Sequence, residues 1–106
     1  MTKDEKRYMA DAASLGCIAC RLSWYGHTPA ELHHPRSGQG MSQRASNMDV
    51  IPLCPQHHRG TMHPSVASIH MDKARFEALF GTEAELVGRT RADVEELRSN
   101  LVGGAA

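Results

Sequence analysis

Ile51-Pro52-Leu53-Cys54-Pro55-Gln56-His57-His58-Arg59-Gly60 is the stretch around which the chain is organised. Cys54 and His57 stand in Cys-x-x-His spacing, which lets a thiolate and an imidazole close on one zinc ion. His58 points elsewhere and is left over. Upstream, Cys17 and Cys20 stand in Cys-x-x-Cys spacing and can supply the other half of a tetrahedral site, and His33-His34 is a second histidine doublet. The chain holds more potential ligands than one structural zinc needs, and that excess is the clue to function.

Working outward, Asp49 to Leu53 reads as an apolar strand, and Pro55 is placed to start a short helix carrying His57 and His58. Ala30 to His34 alternates as a first strand that Pro35 ends. Between the two strands, Pro35 to Met48 is rich in Gly, Ser, Gln and Arg, has no hydrophobic period and reads as a long loop suited to substrate contact through Arg36 and Arg44. Lys3 to Leu15 has helical spacing of Tyr8, Met9, Ala12, Ala13 and Leu15, with Gly16 as the stop. Trp24 and Tyr25 are expected to cover the core, and Val66 to His70 to form a last extended segment or strand. The C-terminal third is helical: Ala74 to Phe80, a break at Gly81, then a helix opened by the capping box Thr82-Glu83-Ala84-Glu85. Its apolar stripe is Leu86, Val87, Val94, Leu97 and Leu101.

The fold class expected is α+β. The 106 residues form one domain, with a zinc-stapled core over 15–70 and a C-terminal helical segment over 73–102. Only five residues are aromatic, so a metal staple would add much to a core this poor in large side chains. Three cysteines, clustered with histidines, fit metal binding in a reducing compartment better than a disulfide framework. A thioredoxin-like role for Cys17 and Cys20 is disfavoured because the βαβ pattern is missing. Nothing reads as a signal peptide or a membrane span, so a cytoplasmic protein is expected.

Lys plus Arg equals Asp plus Glu, at 12 each, so the chain has no global basic field. Four Arg (Arg21, Arg36, Arg44, Arg59) nevertheless face only Glu31 and Asp49 between Cys17 and Gly60. A nucleic-acid partner is thus permitted locally, with Arg36, Arg44 and Arg59 as the contact residues.

Cys17, Cys20, Cys54 and His57 make a closed Cys₃His set, a structural zinc site. That frees His33, His34, Asp49, His58 and His70. One histidine binding a divalent ion beside another free to take a proton from water is sufficient for phosphodiester hydrolysis. His27 and His63 read as ordinary surface residues.

Cys17-x-x-Cys20, Glu31-Leu-His-His34, a Gly-rich loop and Asp49-Val-Ile-Pro-Leu-Cys-x-x-His-His58 together resemble the HNH (His-Me finger) endonucleases. More closely, Gly16 to Arg21, Glu31 to Arg36, Gly40 to Ser46, Ile51 to Gly60, Ser68-Ile-His70 and Phe76-Glu-x-x-Phe-Gly-Thr-Glu83 resemble the phage recombination-enhancement (Ref-type) RecA-dependent nucleases. The likeness runs from Leu15 to Leu86. It implies a zinc-stapled ββα-metal domain flanked by an N-terminal helix and C-terminal helices. It also implies a metal-dependent DNA endonuclease of phage or prophage recombination, in a bacterial or phage-infected cell. By position, His34 matches the general base and Asp49 the residue that orients base or metal. His33, His58 and His70 match ligands of the catalytic metal. The implied cofactors are structural Zn²⁺ and catalytic Mg²⁺ or Mn²⁺, with Zn²⁺ or Ni²⁺ admissible in the purified protein. The implied partners are DNA, a recombinase filament and a second copy joined through the C-terminal helix. The rival reading is a non-catalytic zinc module that binds DNA or protein.

Overall fold

A computed structural model describes residues 2–35, 48–60 and 65–103. The elements are α1 (Lys3–Ser14), α2 (Ile18–Leu22), β1 (Glu31–His33), β2 (Ile51–Leu53), α3 (Pro55–His58), α4 (Lys73–Phe80) and α5 (Glu83–Gly103). The chain is therefore α+β, with helices surrounding one small antiparallel ribbon. Arg36, Arg44 and the rest of the loop at 36–47 lie outside the described residues, as does His63.

Four of the five described helices start where the sequence provides a side-chain acceptor for the free N–H groups of the first turn, and α3, behind Cys54, is the one without. Thr2 and Glu5 bond reciprocally at the start of α1. Thr82 and Glu85 do the same before α5, at 3.1 and 3.2 Å. Asp72 caps α4 through the N–H of Arg75. Gly16 ends the turn after α1 at φ +80°, and a Cβ there would lie 2.8 Å from the His27 ring. That ring also lies 3.1 Å from the Ser14 carbonyl, so exposed His27 helps close the end of α1.

The ribbon pairs Glu31 with Leu53, Leu32 with Pro52 and His33 with Ile51. Pro52 has no N–H to give a ladder, and a two-stranded ribbon tolerates it because each strand has a free edge. Ile51 and Leu53 enter one apolar cluster with Ile18, Ile69, Phe76 and Leu86. Val50 enters a second with Tyr8, Ala12 and Val94, against which Leu32 also packs. Among the described residues, three arginine–aspartate pairs tie α5 to the rest: Arg98 to Asp11, Arg21 to Asp93 and Arg91 to Asp49. The apolar stripe of α5 is largely used within the chain. Leu86 and Val94 are buried, while its last member, Leu101, is exposed.

Two local expectations fail. Trp24 and Tyr25 do not cover the core; they are 93% and 75% exposed. The turn after α2 takes Trp24 into the left-handed region at φ 65°. It is held there by Trp24 N–H to the Arg21 carbonyl and Tyr25 N–H to the Cys20 carbonyl, which sends both side chains outward. Phe76 and Leu86 close the core instead. Nor is Val66 to His70 a strand. Ala67, Ser68 and Ile69 are buried, but the Ile69 and His70 amides bond to the His57 and His58 carbonyls at 2.8 and 3.2 Å. The segment satisfies its backbone on α3 rather than on the ribbon.

Phe76 is fully buried at the junction of α4, α5 and the ribbon. Phe76→Ala should cost about 3–5 kcal/mol in guanidinium unfolding of the metal-loaded protein. Leu101→Ala should stay within about 0.5 kcal/mol.

Candidate metal centre

α3 is four residues long, with Pro55 in its first turn and Cys54 as its N-cap. Successive residues on a helix point about 100° apart. His57 and His58 therefore cannot face one site, and each joins a different cluster: Cys17, Cys20, Cys54 and His57 in one, and His33, His58 and His70 in the other. In each cluster the candidate ligand atoms lie within 4.8 Å of one another.

The cysteine cluster is buried throughout. The Sγ atoms of Cys20 and Cys54 are 3.8 Å apart. His57 Nδ1 lies 3.6 Å from Cys17 Sγ, 3.6 Å from Cys20 Sγ and 3.2 Å from Cys54 Sγ. A tetrahedral ion with Zn–S near 2.3 Å and Zn–N near 2.0–2.1 Å needs edges of about 3.8 Å between sulfurs and about 3.6 Å from sulfur to nitrogen. The donor set and its edges fit such an ion, so the cluster could hold a metal such as zinc. Local structure makes the fit: Cys17 caps α2 and accepts the Cys20 N–H at 3.4 Å, as expected for a sulfur carrying negative charge. Without a cation, burial pushes the Cys17 thiol up to about 12 and raises Cys20 as well. A bound cation reverses that preference, because a coordinating thiol is deprotonated. Burial lowers the His57 pKa, which keeps its ring neutral and its lone pair available. A cleft of about 860 Å³ opens beside this cluster, lined by Tyr25, Leu79 and Phe80 among others. None of His33, His58 and His70 lines it.

The histidine cluster is graded in exposure: His33 is buried, His58 half-buried and His70 exposed. Its ring centroids are 5.1 Å apart for His33–His58, 5.3 Å for His33–His70 and 4.7 Å for His58–His70. β1 delivers His33, α3 delivers His58, and the backbone bonds of residues 69 and 70 to α3 deliver His70. Two carboxylates, neither singled out by the sequence reading, hold the rings. Glu31 Oε1 accepts from His58 Nδ1 at 2.7 Å and from Arg59 Nε at 2.8 Å. These bonds, that of His58 first, lower the Glu31 pKa. Glu83 Oε2 lies 2.7 Å from His33 Nε2. Burial lowers the His33 pKa, and the Glu83 bond opposes that without cancelling it. Glu31 had a faint signal in sequence, since it lies two residues before His33 on the same strand face. Glu83 appeared in sequence only in the capping box and at the end of the motif that starts at Phe76, with nothing to tie it to His33.

The other expected site residues that the structure describes belong to neither cluster. His34 follows β1, exposed where His33 is buried, and is not part of the three-histidine group. Asp49 bonds to Arg91 of α5. Arg59 is paired with Glu31 and keeps 64% of its side chain exposed.

A family model described as recombination enhancement, RecA-dependent nuclease matches residues 1–95. No curated protein matches the chain.

His33 and His57, with pKa values depressed in the fold, contribute stability that is present above the ordinary imidazole value and lost as pH falls through their folded values. The melting temperature of the metal-free protein should therefore decline below about pH 6.5, in a scan from pH 7.5 to 5. At constant pH 7.5, a chelator that strips the cysteine cluster of the metal-loaded protein should lower the melting temperature of that form.

Proposed function

The chain belongs to the recombination-enhancement, RecA-dependent nuclease family, and from that premise we propose that it is a metal-dependent DNA endonuclease of the HNH (His-Me finger) class. The observation that supports this most is the second cluster: three histidines from separate parts of the chain converge beside, but not within, the cysteine set. A zinc-binding module needs only the first. In this reading β1, β2 and α3 are the ββα unit, stapled by zinc at Cys17, Cys20, Cys54 and His57.

His33, His58 and His70 are the residues that would hold one divalent ion, with Mg²⁺ or Mn²⁺ for turnover. Such an ion supplies electrostatic stabilisation to the phosphate charge and to the leaving oxygen. The exposed edge at His70 leaves room for a phosphate to approach. His34, next in sequence to His33 and open to solvent, takes the proton of the attacking water, the work an unliganded imidazole does near neutral pH. Attack on phosphorus then leaves a 5′-phosphate and a 3′-hydroxyl. Arg59 is exposed enough to reach a phosphate, and Arg36 and Arg44 are assigned the same task from sequence. Asp49 orients the base or the metal only in a state in which it has left Arg91. The family description links the activity to RecA, and in this reading RecA acts as a filament on the DNA substrate. Among the described residues no helix is long and apolar enough to cross a membrane.

Cleavage of single-stranded, duplex and displaced-loop DNA with Mg²⁺ or Mn²⁺, with and without a RecA filament, tests the reading. His34→Ala should lower the rate about 10²–10⁴-fold with metal content unchanged. His33→Ala and His58→Ala should each lower the metal count from two ions per chain to one. One ion in the wild-type chain, with DNA binding but no cleavage under any condition, would make it a zinc-stapled binding module.

A further inference from the structure

The histidine cluster is held from behind by one buried carboxylate. Glu83 is 5% exposed, and its two oxygens have different partners: Oε2 meets His33 Nε2 at 2.7 Å, and Oε1 accepts from Lys73 Nζ at 2.8 Å. Its place is set locally. Gly81, at φ 113°, ends α4, and the reciprocal Thr82–Glu85 bonds start α5 one residue later. Glu83 is thus the first residue of α5, three positions before the buried Leu86 and on the same helix face. The helix N-terminus favours a negative charge there.

We propose that Glu83 is the positioning residue of the histidine cluster, fixing which ring nitrogen of His33 is left free to take a ligand. The proposal rests on reading that cluster as a divalent-metal site. An ionised carboxylate has only acceptors, so the nitrogen facing it must carry the hydrogen. A neutral His33 then has Nε2–H donated to Glu83 and its lone pair on Nδ1. Lys73 donates to the other oxygen and keeps Glu83 in place without competing for the ring. Metal-binding histidines are commonly held by a carboxylate on the second ring nitrogen, which sets their tautomer and orientation.

A purely structural role is the weaker account. Burying a carboxylate costs more than burying an apolar side chain of the same size, even when it is paired. An apolar contact would join α5 to β1 at least as well. Glu31, by contrast, is partly exposed and divides one oxygen between His58 and Arg59, so Glu83 is the more restrictive of the two.

The test uses the full chain with zinc in the cysteine cluster. Long-range ¹H–¹⁵N spectra read the His33 tautomer, and calorimetric titration with Mn²⁺ reads affinity at the histidine cluster. Wild type should show His33 protonated on Nε2. Glu83→Ala should show mixed tautomers and bind Mn²⁺ about 10–100-fold more weakly, with zinc content unchanged. Glu83→Gln, which keeps an oxygen acceptor, should retain the wild-type tautomer and lose less affinity. A Glu83→Ala protein with the wild-type tautomer overturns the proposal, and so does one with an altered tautomer but wild-type Mn²⁺ affinity. If wild type itself takes up no Mn²⁺, the metal-site reading falls separately, and the tautomer comparison alone then decides whether Glu83 sets the ring.

Discussion

A single turn of helix carries the architecture. α3 has room for four residues, and the 100° step between His57 and His58 sends one ring to the cysteines and the other to the histidines. The two clusters are therefore rigidly linked through one peptide unit. Whatever fixes the cysteine cluster also fixes the direction of His58. It fixes His70 too, because the backbone of residues 69 and 70 is bonded to the carbonyls of α3. Only His33 arrives independently, on the ribbon, and Glu83 secures it from α5.

The clusters contrast in burial, and that contrast divides their chemistry. Four buried donors with tetrahedral edges make a closed site, in which nothing is left for a substrate. Binding a structural zinc releases on the order of 10–16 kcal/mol in small zinc domains, as much as the whole stability of a typical domain. With a small core divided into two apolar clusters, a metal held at the cysteines would be a major part of what keeps α2 and α3 together. The histidine cluster has fewer donors and one exposed edge. A metal held there would keep a side open to exchange ligands, with Glu31 and Glu83 bonded to two of the three rings.

Charge follows the same division. The chain is neutral overall, and many of the described arginines are engaged: Arg21 with Asp93, Arg91 with Asp49, Arg98 with Asp11. Arg59 beside the histidine cluster is the exception in exposure, though it too has Glu31 as partner. Long-range attraction to nucleic acid is weak for such a chain. Contact with DNA would depend on local groups at the site and on RecA.

By itself the sequence determined most of the elements and the spacing of the candidate ligands. Spacing of two residues between Cys17 and Cys20, and between Cys54 and His57, is local geometry. Caps at Thr82 and Asp72 and breaks at Gly16 and Gly81 act over one helical turn. Such features are legible because they depend on near neighbours alone. Tertiary structure decided the rest. Trp24 and Tyr25 looked like core and stand in solvent, because one residue with positive φ turned the chain outward and residues some 50 positions later filled the space. The segment at 66–70 read as a strand or an extended segment, yet the Ile69 and His70 amides found the carbonyls of α3. Asp49 was expected at the site and is bonded to Arg91, 42 positions away. Glu83 read as part of a helix cap and as the end of the Phe76 motif, and it reaches His33 across 50 positions of chain. Hydrogen bonds between side chains so far apart leave no periodicity or spacing in a single sequence, since either partner could have met another group had the helices packed differently.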